Sequence, residues 1–149
     1  MSRPSVVILE VAARPLYWAI LAVSVWVLLR GHNEPGGGFI GALVAVSASV
    51  LWAVAHSAED AERRMPTGSC VGLAALGVLC SVASGLPSLL DGGNYLHHWW
   101  GELNLGFTDV AISTVLLFDV GVYLSVWGAL GGYAVKLIAL DASEEVENA

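Results

Sequence analysis

The stretch Phe39–Ala55, FIGALVAVSASVLWAVA, carries no charge and no proline. A helix rises about 1.5 Å per residue, so about 20 apolar residues cross the roughly 30 Å of hydrocarbon in a bilayer. With a residue or two added at each end, this run predicts a membrane span over about 37–56. Small residues recur through it at Gly37, Gly41, Ala45 and Ser49. They are four apart and share one helical face, a spacing that lets two helix backbones approach closely within lipid.

Reading outward from this span gives three more. One covers about 11–30, with Pro15 at a first-turn position and Arg14 and Arg30 snorkelling to the interfaces. Another covers about 68–88, opening after Pro66 and Thr67 and closing near Pro87. The last covers about 109–136, with Asp109 as N-cap or first-turn acid and Lys136 just beyond the apolar run. Between the middle two lies a charged link, His56 to Arg64, too polar to span. The small-residue pattern returns at Gly77, Ser81 and Gly85, and at Gly121, Ser125, Gly128 and Gly132.

The composition agrees: 56% of the 149 residues are hydrophobic, 13% are charged, and mean hydropathy is +0.72, which excludes an ordinary water-soluble domain. The expected fold is all-α, an integral membrane protein of one domain, 1–149, with four transmembrane helices. Much of the net charge of -7 sits in Asp141, Glu144, Glu145 and Glu147, read as a flexible acidic tail over 141–149, and no nucleic-acid partner follows from it. The N-terminus lacks a signal-peptide pattern, so the first span is expected to direct insertion. An even number of spans places both termini on one side, with Arg3, Arg14, Arg63, Arg64 and Lys136; only Arg30 lies opposite. The positive-inside rule makes that side cytoplasmic. Trp99 and Trp100 then belong to the outer aromatic belt, beside His97 and His98.

Two segments are candidates for chemistry. The first is Gly31-His32-Asn33-Glu34-Pro35-Gly36-Gly37-Gly38-Phe39, between the first two spans. Proline disfavours helix at Glu34, and irregular backbone at membrane depth must be buried in protein or line a wet cavity. One reading puts Glu34 and His32 at the mouth of an ion path; the other is a compact turn whose glycines permit close packing. The second segment is Leu117-Phe118-Asp119-Val120-Gly121-Val122-Tyr123. With a helix starting near Asp109, Asp119 lies roughly 14 Å deep, near the bilayer centre. A central Asp costs about 2.5 to 3.5 kcal/mol, so it is expected to face the bundle interior, water or a partner subunit. There it either binds and releases a proton or a sodium ion, or accepts hydrogen bonds that fix an assembly. Tyr123, four residues on, shares its face.

Cys70 and Cys80 fall within one predicted helix, roughly 15 Å apart, too far to form a disulfide, and read as small packing residues. His56, His97 and His98 match no metal-ligand spacing and read as interface residues, so no metal is expected. No phosphate-binding glycine loop, nucleophile with base, haem or cluster motif is present in the sequence, so no cofactor and no enzyme activity are expected.

The segments His32-Asn33-Glu34-Pro35-Gly36-Gly37-Gly38-Phe39-Ile40-Gly41 and Phe118-Asp119-Val120-Gly121-Val122-Tyr123-Leu124, in this order and at this separation, resemble the MnhB family, the B subunits of the Mrp-type multisubunit sodium/proton antiporters. The resemblance extends over nearly the whole chain. It implies a small subunit of a secondary transporter in the plasma membrane of a bacterium or archaeon, built from six or seven different subunits. That transporter exchanges monovalent cations for protons at the expense of the proton-motive force. Its partners would be the other subunits and membrane lipids, with Na+ and H+ as transported ions. Pro35 and Phe39 match functionally sensitive positions of the family motif, and Asp119 and Glu34 match motif positions as well. Ala42 stands where the family often has another glycine, and 94–100 only loosely resembles the family's outer loop. Two alternatives stay open: a scaffold subunit that moves no ion, and an equivalent small subunit of a redox-coupled complex of the hydrogenase type.

Overall fold

The computed structural model describes residues 4–30, 37–87, 100–104 and 109–147. In chain order the elements are α1 (Pro4–Arg30), α2 (Gly37–Ala55), α3 (Ala58–Arg63), α4 (Cys70–Ala83), β1 (Trp100–Asn104), β2 (Asp109–Ser113) and α5 (Thr114–Glu147). Among the described residues, three segments are long and apolar enough to cross a membrane: Ile8–Arg30, Gly37–Ala55 and Val115–Glu144. The fourth apolar helix, α4, has 14 residues. At about 1.5 Å per residue it reaches about 21 Å, short of a hydrocarbon core.

The helices pack side by side with backbones close together. Little hydrophobic force drives helices together within lipid, so contact rests on shape and polar bonds. The predicted small-residue stripes supply the shape. A Cβ at Gly77 would collide with the backbone N of Ser125 and stand 2.6 Å from the Gly121 carbonyl oxygen. One at Gly121 would stand 2.6 Å from the backbone N of Ser81, and one at Gly128 would stand 2.7 Å from the Cys70 oxygen. Position 77 therefore faces 121 and 125 while position 70 faces 128, which makes α4 and α5 antiparallel. Similarly, Gly41 meets Ser24 and Tyr17 meets Trp52, so α1 and α2 are antiparallel.

Between α2 and α4 the chain turns through α3. Ser57 caps α3, its hydroxyl accepting from the Asp60 amide at 3.1 Å. Gly68 then takes a φ of 65°, a left-handed conformation that suits glycine, and its amide donates to the Met65 carbonyl at 2.7 Å. Ser69 caps α4 by accepting from the Gly72 amide, and Glu62 accepts from the Cys70 amide at 3.2 Å. Two free amides at the start of α4 are thus satisfied.

Four expectations are corrected. Pro15 lies inside α1, not in its first turn, because helix extends back to Pro4. Residues 109–113 are not the start of the last helix. They pair antiparallel with 100–104, Trp100 opposite Ser113 and Asn104 opposite Asp109, and helix begins at Thr114. The acidic end is helical as far as Glu147, as its Ala, Glu and Asp content permits. The third apolar run is not one unbroken helix: α4 ends at Ala83, a turn covers residues 84–85, and helix resumes at 86–87.

Candidate functional site

The two motif segments meet. Gly38, at the start of α2, lies against the backbone of Asp119: a Cβ at position 38 would stand 2.5 Å from the Asp119 carbonyl oxygen and 3.2 Å from its Cα. Only a residue without a side chain fits there. Because α5 starts at Thr114, Asp119 is five residues into it, about 8 Å along the axis and not the roughly 14 Å expected. The acid is therefore level with the first turn of α2, near the end of the bundle that the segment 31–36 joins. Asp119 is half-buried and partnered. His32, Asn33, Glu34, Pro35 and Gly36 lie outside the described residues, as do His97 and His98.

One turn further along, three helices are tied by a buried polar chain. The Ser24 hydroxyl of α1 donates to the Gly41 carbonyl of α2 at 2.9 Å, and its oxygen lies 2.7 Å from the Tyr123 hydroxyl of α5. A serine has one hydroxyl proton, so Tyr123 is the donor of the second bond. Ser24 is fully buried and Tyr123 nearly so. A Cβ at Gly41 would stand 2.9 Å from the Ser24 carbonyl oxygen, so glycine at position 41 is what lets α1 approach this closely. A second chain runs parallel: the Trp127 indole N–H donates to Ser49 Oγ at 2.8 Å, and Ser49 donates to the Ala45 carbonyl at 3.3 Å. Tyr123 and Trp127 contact edge to face, their centroids 5.7 Å apart.

Of the predicted residues, Gly37, Gly38, Gly41, Gly121 and Tyr123 are buried, whereas Phe39 on α2 is 48% exposed. Sequence reasoning misses Ser24, Ser49 and Trp127 as polar links, although a signal for them exists: a hydroxyl or indole within an apolar span needs a partner. His56 stacks on Trp52, one helical turn before it, with ring centroids 3.9 Å apart and planes 3° from parallel. Cys70 and Cys80 are both free, and Cys70 packs against the place a Gly132 side chain would fill. Among the described residues no group of three or more His, Cys, Asp or Glu is placed to hold a metal.

Long apolar helices in close backbone contact, tied by sparse buried hydroxyl bonds, define a helical membrane protein. A family model described as a domain related to the MnhB subunit of Na+/H+ antiporter matches residues 8–132, and the chain belongs to that family. It is 36% identical over 124 residues to the B subunit of the Na(+)/H(+) antiporter of Bacillus subtilis (strain 168), covering 81% of this chain and 85% of that protein. To the same antiporter subunit of Alkalihalophilus pseudofirmus it is 33% identical over 123 residues, 82% of this chain and 85% of that one. A solved chain in the Mrp complex of Dietzia sp. DQ12-45-1b superposes with a TM-score of 0.73 at 34% identity, over 93% of this chain. The chain spans only 15% of the length of that solved chain.

Proposed function

We propose that the junction of Gly38 with Asp119 borders a cation or proton route, in a chain that acts as the MnhB subunit of an Mrp-type Na+/H+ antiporter. The chain is a small multi-pass subunit of a bacterial plasma-membrane complex, and its partners are the complex's other subunits. Four helices cross the bilayer in this reading, α4 completing its crossing with residues beyond Ala83. Cytoplasmic placement of both termini is part of this reading; it is supported by the antiparallel order of α1 with α2, the parallel order of α2 with α5 (Gly38 beside Asp119, Ser49 beside Trp127) and the distribution of Arg and Lys.

The observation that carries the route is that the two family segments, far apart in sequence, come into backbone contact beside the half-buried Asp119. An acid at that level, near one end of the bundle, can exchange a proton or help to hold a sodium ion, and Glu34 and His32 of the first motif segment are its proposed companions on the route. Asp119→Asn should remove sodium-dependent proton exchange from vesicles while all subunits still co-purify. Loss of the complex in that variant would favour a different role.

That different role is the scaffold, and a specific observation supports it: the backbone contact of α4 with α5 at Gly77, Gly121 and Gly128. If scaffolding is the whole function, Gly121→Leu or Gly128→Leu will damage assembly far more than Asp119→Asn damages exchange.

A further inference from the structure

At the other end of the bundle from Asp119, a cavity of about 400 Å³ is lined by Glu10, Val11 and Arg14 of α1 and by His56, just past the end of α2. Glu10 and Arg14 are one helical turn apart, the spacing at which such a pair usually closes on itself. Here they do not: among the described residues the ion pair within 4.0 Å is Arg63 with Glu59. Both charges remain exposed on the cavity wall, opposite in sign and about 6 Å apart along the helix axis.

The His56 ring is held against the wall by stacking. It lies on Trp52, and the Arg64 guanidinium stands 3.7 Å from the same indole's centroid. Two planar groups cannot share one face of an indole, so they take opposite faces. The Nδ1 of His56 is buried with no hydrogen-bond partner, which leaves Nε2 as the nitrogen able to meet a ligand.

The position of the cavity selects the ligand. Arg14 and Arg30 bracket a stretch of α1 about 24 Å long, so Arg14 lies where the hydrocarbon gives way to headgroups. Val11, Arg14 and Trp18 share a helical face, and Val11 and Trp18 are 69% and 63% exposed, giving an apolar strip along which acyl chains can run. We infer that this cavity binds the headgroup of a zwitterionic, amine-bearing phospholipid, its phosphate on Arg14 and His56 and its ammonium on Glu10. An anionic headgroup without the amine would meet the carboxylate of Glu10 unpaired.

The test is native mass spectrometry of the intact complex, released from nanodiscs of equal phosphatidylethanolamine and phosphatidylglycerol. The wild type should retain phosphatidylethanolamine preferentially. Arg14→Gln should lower that retention about fivefold, the effect of one basic contact at a membrane surface. Glu10→Gln should abolish the preference, phosphatidylglycerol rising to equal the other lipid. Arg63→Gln, an exposed charge away from the cavity, should change nothing. Equal retention of both lipids by the wild type, a preference that survives Glu10→Gln, or a loss with Arg63→Gln as large as with Arg14→Gln would overturn the site. So would unchanged lipid with loss of a neighbouring subunit from the Arg14→Gln complex, which would assign the cavity to a protein loop.

Discussion

The buried chain from Tyr123 through Ser24 to Gly41 sets up a double-mutant cycle whose outcome follows from the direction of its bonds. Tyr123→Phe removes a donor, yet Ser24 keeps its own bond to the Gly41 carbonyl. The loss is one interhelical hydrogen bond within a membrane protein, about 1 kcal/mol. Ser24→Ala removes the acceptor and leaves the Tyr123 hydroxyl buried without a partner, about 1 to 3 kcal/mol. The serine change should therefore cost more than the tyrosine change, although it deletes a smaller side chain. In the double variant the orphaned Tyr123 hydroxyl is gone and the Ser24–Tyr123 bond is no longer counted twice, so its cost should fall short of the sum by about 1 kcal/mol, about fivefold in the unfolding constant. Equilibrium unfolding of the full chain in mixed detergent micelles measures all four corners. Additive effects, or a larger loss for Tyr123→Phe than for Ser24→Ala, would refute the bond pattern.

Other perturbations follow from the same packing. Trp127→Phe should cost about 1 kcal/mol through the lost bond to Ser49, whereas Arg63→Ala should cost under about 0.5 kcal/mol, since its partner Glu59 is 75% exposed and the pair is a surface one. Gly128→Leu should reduce recovery of the assembled complex in pull-downs, because even a Cβ there meets the α4 backbone, while Gly72→Ala, whose new methyl meets only side-chain atoms at 3.4 Å or more, should assemble normally. Gly68→Ala, in the open turn with φ of 65°, should destabilise by about 1 kcal/mol, purely through backbone conformation, as read by thermal unfolding.

The apolar runs and the small-residue stripes are legible in the sequence because lipid imposes few solutions: length sets the span, and glycines four apart on one face set the contact. Both motif segments stand out as unusual, but nothing in their spacing shows that Gly38 touches Asp119. That contact depends on where α5 starts, and the start is hidden. Asp109 resembles a helix cap, while Val110 and Ile112 alternate with smaller residues as a strand would, and an apolar run read on its own leaves both open. Pairing with 100–104 decides it, a long-range effect that local preference does not encode. Pro15 misleads in a simpler way: it removes one backbone donor, and the helix continues through it. Arg64 reads in the sequence as one more cytoplasmic charge, whereas its place over Trp52 depends on its position as the C-cap of α3, which folds back beside the end of α2.

The central claim is that Asp119, level with the glycine-rich start of α2, takes part in exchange rather than in holding the complex together. The most direct measurement is the initial rate of sodium-driven proton movement in vesicles containing equal amounts of assembled complex with Asp, Glu or Asn at position 119. Asp119→Glu should retain exchange with an altered sodium dependence, and Asp119→Asn should fall to the rate of empty vesicles. Wild-type exchange by the assembled Asp119→Asn complex would contradict it.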